Sequence, residues 1–242
     1  MQVKNRLLDT DLIIYQNDDW FKFSLDSVLL SRFVTINFRH KKIIDLATGN
    51  APIPLLLTFR TNASIYGIEY QKCIYQLAKE SVEGNNLSNQ INLINDDVSN
   101  ISKHFDSESF DVVTCNPPYF KANNDKYFNS NDVKTIARHE VMLCLDEVLK
   151  KASFLLKTGG VFAMVHRTER FVEIIEKMKN FNLEPKRVRF IYPKMGRESD
   201  LMLIEGIKNG NGGLKLLSPL VVHNEDNTYT AEVLEMLNFG KR

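Results

Sequence analysis

The chain has 242 residues, 43% of them hydrophobic and 25% charged, with 31 Lys and Arg against 30 Asp and Glu. That length suits one well-packed α/β domain with small appendages, and the composition excludes a disordered or fibrous chain. Near-zero net charge excludes a chain-wide attraction to nucleic acid, so any basic face must be local.

Three cysteines, Cys73, Cys115 and Cys144, are odd in number and far apart. They fit neither a disulfide framework nor a zinc site, which points to a reducing cytoplasm and to no metal. The first eleven residues mix charges with apolar side chains, unlike a signal peptide. Apolar stretches such as residues 53–59 are far too short to span a bilayer, so no membrane partner is expected.

In chain order, Phe21, Phe23, Leu25 and Asp26 followed by Val28, Leu29, Leu30 and Phe33 read as a strand or turn leading into a short helix. From residue 43 short apolar runs at 43–47, 64–69, 91–95, 110–115 and 160–166 alternate with helical patterns at 54–60, 71–86, 99–105, 146–156 and 169–180. This alternation predicts βαβ units, and continuous apolar runs are what strands buried on both faces require. Two last runs, 187–192 and 200–206, are joined by too few residues for a helical crossover and are expected to pair antiparallel. Residues 208–213, Lys-Asn-Gly-Asn-Gly-Gly, read as a linker. The expected organisation is an N-terminal extension at 1–40, a domain at 41–207 and a C-terminal arm at 208–242.

The turn Asp45-Leu46-Ala47-Thr48-Gly49-Asn50-Ala51-Pro52 follows the first of these runs and precedes a helix. In open α/β sheets ligands bind at the carboxyl ends of strands, where a tight turn with little side-chain bulk lets backbone approach the ligand. Gly49 is the only glycine here; Ala47 and Ala51 stand where glycine is commoner. Glu69 ends the second run, where a carboxylate can accept two ribose hydroxyls, and Asp97 after the third could accept from an adenine amine. Each acid alone is equally readable as a helix cap or a surface group. Three acids after three successive strands form a candidate cofactor site.

Asn116-Pro117-Pro118-Tyr119 directly follows the fourth run. Two prolines stop the strand and fix a rigid turn. The Asn116 side-chain oxygen and a following backbone carbonyl can both accept from one NH₂ group, orienting it without a strong base. Tyr119 offers a flat face on which a planar substrate can stack.

Across residues 45–54 and 116–120, in the upstream stretch Phe23-Ser24-Leu25-Asp26-Ser27-Val28-Leu29-Leu30 and in strand order, the chain resembles the bacterial tRNA(Val) adenine-N6 methyltransferases, with the tail matched least securely. The resemblance implies a class I methyltransferase (Rossmann-like) fold, a mostly parallel seven-stranded sheet with a terminal antiparallel hairpin. It implies S-adenosylmethionine as cofactor, held by Asp45, Gly49, Asn50, Glu69, Asp97 and Asn116, with Phe23 and Asp26 matching an upstream motif near it. It implies that Asn116, Pro117 and Tyr119 hold the target amine, the N6 of the adenine 3′ of a tRNA anticodon. The Asn-Pro-Pro-Tyr motif also occurs in adenine-N6 DNA enzymes and glutamine-N5 protein methyltransferases, so it specifies the chemistry better than the substrate.

For RNA the candidate contacts are Arg138, Arg187, Lys194 and Arg197, within basic clusters at 138–139, 166–170 and 186–197. Phosphate contacts by Lys and Arg supply most non-specific RNA affinity, although a solvated surface explains any one cluster equally well. Two alternatives stay open: a glutamine-N5 methyltransferase acting on a release factor, and a cofactor-dead RNA-binding module. The first usually needs a sizeable N-terminal substrate domain, for which about forty residues are too few. The second is opposed by Asp45, Glu69 and the whole Asn-Pro-Pro-Tyr motif.

Overall fold

The computed structural model describes residues 2–8, 10–17, 24–117 and 144–239. Two strands, β1 (Gln2–Arg6) and β2 (Ile13–Asn17), pair antiparallel ahead of helix α1 (Leu25–Phe33). Then come β3 (Lys42–Leu46), α2 (Pro52–Leu57), β4 (Ser64–Ile68), α3 (Lys72–Gly84) and β5 (Ile91–Ile94). A 3₁₀ turn (Val98–Lys103) leads to β6 (Phe110–Cys115). Beyond it lie α4 (Leu145–Leu155), β7 (Leu156–Arg167), α5 (Phe171–Asn180), β8 (Leu183–Lys194) and β9 (Leu201–Lys208). The tail forms β10 (Lys215–Leu216), β11 (Leu220–His223) and α6 (Ala231–Leu237).

The main sheet runs β10-β8-β9-β7-β6-β3-β4-β5, with β11 also on β8. Strands β5, β4, β3, β6 and β7 are parallel, and β9 is antiparallel between β7 and β8. These seven strands are the expected class I methyltransferase sheet. Two short strands at the β8 edge extend it, because the arm after β9 returns beside β8 instead of leaving the domain. Lys186 holds the linker in place by donating to the carbonyls of Asn211 (2.9 Å) and Gly212 (3.1 Å).

Side chains alternate across a strand, so adjacent residues enter different cores. Ile43, Val112, Ala163 and Leu203 face the α1 and α2 side; Ile44, Val113, Phe162 and Met202 face α4 and α5. The resulting three layers leave the carboxyl ends of β4, β3 and β6 at one edge, with the chain reversing its strand order between β3 and β6. That edge is where such sheets bind ligands.

The N-terminal hairpin was not legible in the sequence. It docks on α3, where Ser81 Oγ accepts from Tyr15 N (2.9 Å) and Asn85 Oδ1 accepts from Ile13 N (2.8 Å). Among the described residues no helix is long and apolar enough to cross a membrane, and no cluster of His, Cys, Asp or Glu is arranged to hold a metal.

Candidate active site

Strand register aligns the candidate residues. Asp45 lies opposite Thr114 on β6 and Gly67 on β4, so Asn116 and Glu69, each two residues further on, stand on either side of the turn after β3. Asp45 is buried, with Thr48 Oγ1 donating to Oδ2 (2.7 Å) and Thr114 Oγ1 to Oδ1 (2.6 Å). Burial raises its carboxyl to about 7; the two hydroxyl bonds pull it down, and the nearby Glu69 charge pushes it further up. No Lys or Arg neutralises it among the described residues.

Glu69 is also buried. Its Oε2 accepts from Gly49 N (3.0 Å) and its Oε1 from Gln71 N (2.8 Å). Burial raises its carboxyl too, opposed by these backbone donors. Each oxygen keeps a second lone pair, so the carboxylate can bind the turn and still accept from a ligand.

Between these acids Ala47, Gly49 and Ala51 all take left-handed backbone, with φ of 53°, 59° and 66°. The two alanines therefore keep the path that glycine would favour, each at a cost of about 1–2 kcal/mol. A Cβ placed on Gly49 would meet nothing within 4 Å. The turn thus presents bare backbone to open space, and the residues fit a nucleoside-bearing cofactor. Asn50 is buried and donates to the carbonyl of Tyr15 (3.0 Å), tying the turn to β2. Asp97 caps the 3₁₀ turn by accepting from Ser99 N (2.7 Å).

Asn116 follows β6 directly, and its Nδ2 donates to Ser27 Oγ (3.2 Å) on α1. Asp26 lies in the first turn of that helix. Pro117 is buried. The expectations for Phe23, Tyr119 and Arg138 lie outside the described residues.

Thr48, Thr114, Gly67 and Ser27 belong to the site and escaped sequence reasoning. Thr114 was detectable, since it sits two residues before Asn116 and in register with Asp45. Gly67 is required by packing: a Cβ there would come within 2.9 Å of Thr48 Cγ2 and Leu93 Cδ2. His166 is fully buried and accepts from Arg167 N (2.8 Å); burial and then the Arg170 charge lower it to about 4, so it is a neutral structural imidazole.

The basic run of 186–197 is largely committed within the fold. Arg187 Nε and Nη2 each lie 2.9 Å from an oxygen of Glu205, and Nη2 also donates to the carbonyl of Phe33 (2.7 Å). Where a phosphate contact was expected, Arg187 forms a clamp between β8, β9 and α1. Arg189 pairs with Glu232 (2.5 Å). Lys194 donates to the carbonyl of Glu225 (2.9 Å), and Arg197 is exposed on the turn after β8. Those last two lie at the same sheet edge as Asn116, because β8 runs parallel to β6.

A family model described as a methyltransferase domain matches residues 37–209. The chain belongs to this methyltransferase family. It adopts the methyltransferase fold. Similar curated proteins include the tRNA1(Val) (adenine(37)-N6)-methyltransferase of Cytophaga hutchinsonii, 23% identical and covering 93% of this chain and 92% of its own. The protein of the same name in Bacteroides thetaiotaomicron is 27% identical, covering 86% of each. Among solved structures, a predicted O-methyltransferase from Agrobacterium tumefaciens superposes with a TM-score of 0.71 at 20% identity, covering 88% of this chain and 95% of that one. At that identity the likeness shows the fold alone.

Proposed function

We propose that this methyltransferase transfers a methyl group to the N6 amine of an adenine in tRNA, the adenine 3′ of the anticodon. The observation that carries this reading is the Asn116-Pro117 turn, set at the strand-order reversal across from the Asp45–Glu69 turn. The names of the similar curated proteins supply the substrate class.

The turn after β3, with Asp45, Gly49, Asn50, Glu69 and Asp97, would hold S-adenosylmethionine, aided by Phe23 and Asp26. When bound, that group supplies an electrophilic methyl on a positively charged sulfur. Asp45 sets the local charge from beneath the turn and fixes its shape through Thr48. Glu69 offers acceptors for a pair of ribose hydroxyls while holding Gly49. Asn116 Oδ1 and a following backbone carbonyl accept both hydrogens of the adenine amine, directing its lone pair at the electrophile. Orientation of this kind supplies much of the rate, because no base is needed before attack and the proton leaves afterwards. Tyr119 stacks on the base. Lys194 and Arg197, with Arg138, are the candidate phosphate contacts; Arg187 is left out on the geometry above.

The test incubates the protein with labelled cofactor and either undermodified tRNA or a release factor. N6-methyladenine in the tRNA digest is the expected result. Label confined to the release factor would overturn the reading in favour of glutamine-N5 transfer.

A further inference from the structure

We propose that Asn95 is a positioning residue for the nucleoside half of the cofactor, bracing the backbone of Glu69 and Tyr70 against the loop that carries Asp97. The inference rests on the reading that puts S-adenosylmethionine at the turn after β3.

Strands β4 and β5 pair in parallel as far as Ile68 and Ile94, and one more bond follows, from Glu69 N to the carbonyl of Ile94 (3.0 Å). In a regular parallel ladder the carbonyl of Glu69 would next take the N–H of Asp96. Strand β5 ends at Ile94, and the Asn95 side chain supplies that donor instead. Its Nδ2 donates to the carbonyl of Glu69 (2.8 Å) and to the carbonyl of Tyr70 (3.0 Å). Only the NH₂ end of an amide can face two carbonyls, because its oxygen would meet them as a third acceptor. The orientation of Asn95 is therefore set by these two contacts.

Both sides of the brace are anchored. On the β4 side the Glu69 carboxylate accepts from Gly49 N and Gln71 N. On the β5 side Asp96 Oδ1 accepts from Asp97 N (2.7 Å) and Asn100 Nδ2 (2.9 Å), and its Oδ2 meets His104 Nε2 (2.7 Å). Asn95 joins the two groups just beyond the point where the strands stop pairing. It thereby holds the acid proposed for the ribose and the acid proposed for the adenine at one spacing. Asn95 and Tyr70 are both exposed, so the brace lies at the surface of the site and outside the core.

Asn95→Ala should raise the Kd for S-adenosylmethionine about 5- to 30-fold, the effect of losing two neutral hydrogen bonds. Calorimetry with adenosine alone should show the same factor to within about 2-fold, because the brace serves the nucleoside half. At saturating cofactor kcat for tRNA should stay within about 2-fold, with the loss carried by the cofactor KM. Tm should stay within about 2 °C, as an exposed substitution leaves the core intact. Asn95→Asp keeps the shape and sets an oxygen against the two carbonyls, so it should bind no better than Asn95→Ala. In a Glu69→Gln background Asn95→Ala should cost less than it does in the wild type, since both act through one piece of backbone. Wild-type affinity in Asn95→Asp, an adenosine Kd that does not move, or additive losses in the double variant would overturn the role of Asn95. If the wild-type protein binds the cofactor and methylates no RNA, the substrate reading fails instead, and the two affinities still decide the brace.

Discussion

Asp45 and Glu205 are both buried carboxylates in the same row of the sheet. Register carries the row from Asp45 to Thr114, Ala163, Glu205 and Arg187, so the two acids are three strands apart. Glu205 meets a guanidinium with two parallel bonds, plus donors from Thr35 N (2.7 Å) and Thr35 Oγ1 (2.9 Å). Asp45 meets two hydroxyls and no cation among the described residues. One acid has its charge balanced inside the fold and serves the fold. The other is held where its charge is unbalanced, which fits the proposed site of a cationic cofactor. An internal partner is what separates a structural buried acid from a functional one here.

The largest expected effect comes from removing that partner. Arg187→Ala strands Glu205 in the core, and breaking a buried pair in this way costs about 3–5 kcal/mol. Denaturant titration should show this loss, while the folded fraction binds S-adenosylmethionine with wild-type affinity. A loss under about 1 kcal/mol would mean the clamp is not holding a buried charge, and the contrast with Asp45 would collapse.

Asp45→Asn should act in the opposite direction. The carboxyl is raised to about 7 in the folded protein, so the native state holds a proton that the unfolded chain has released at intermediate pH. Stability from this group is complete below the unfolded value of about 4 and is lost as pH rises through about 7. The asparagine variant has no such loss. Its stability advantage over wild type should be absent near pH 4 and grow to at most about 4 kcal/mol by pH 8, at 1.36 kcal/mol per unit. Its cofactor affinity should fall about 10- to 100-fold, because the charge that the site used is gone. An asparagine variant less stable than wild type at pH 8 would show that the charged form of Asp45 is balanced after all.

Glu69→Gln sharpens the same contrast within the site. Glutamine has one acceptor oxygen, so either Gly49 N or Gln71 N loses its partner and the ribose acceptors are halved. Calorimetry should show cofactor affinity reduced by about 1.5–3 kcal/mol. Glu205→Gln should leave that affinity unchanged. Equal affinities in wild type and Glu69→Gln would remove Glu69 from the cofactor site.

The parts legible in the sequence were those whose cause is local. Strands such as β3 and β6 were readable because a strand buried on both faces must be a continuous apolar run, as Ile43-Ile44 and Val112-Val113 are. The acids at Asp45, Glu69 and Asp97 stood out as candidates because Asp45 lies within such a run, Glu69 ends one and Asp97 comes just after one. The β1–β2 hairpin was not, since the inward face of β2 carries Gln16 beside Ile14 and breaks the apolar alternation. The short strands β10 and β11 exist only because β8 offers an open edge, which no local pattern announces. The ion pairs within the basic run were hidden for a related reason. Glu205 and Glu232, which neutralise Arg187 and Arg189, are 18 and 43 residues away, and only the folded sheet brings them in. Thr114 was marked only by its place two residues before Asn116, and its tie to Asp45 comes from strand register, which only the folded sheet supplies.

The smallest expected effect tests whether the site side of the comparison carries backbone strain as well as unbalanced charge. Ala47 and Ala51 both sit at positive φ, and left-handed backbone costs alanine about 1–2 kcal/mol. Glycine removes that strain but loses about 0.4–1 kcal/mol through the added freedom of the unfolded chain. For Ala47, which is only half-buried, the strain term wins, and Ala47→Gly should stabilise by about 0.5 kcal/mol. For a chain of this size that raises Tm by about 1–2 °C. Ala51 is fully buried at 0% exposure, so its methyl adds about 0.8 kcal/mol of burial that glycine forfeits. Ala51→Gly should therefore be neutral or slightly destabilising, although its φ is the larger of the two. Paired denaturant titrations of the two variants check the difference. If Ala47→Gly destabilises as much as Ala51→Gly, the turn carries no strain that glycine can release, and only the unbalanced charge distinguishes the Asp45 region from the Glu205 clamp.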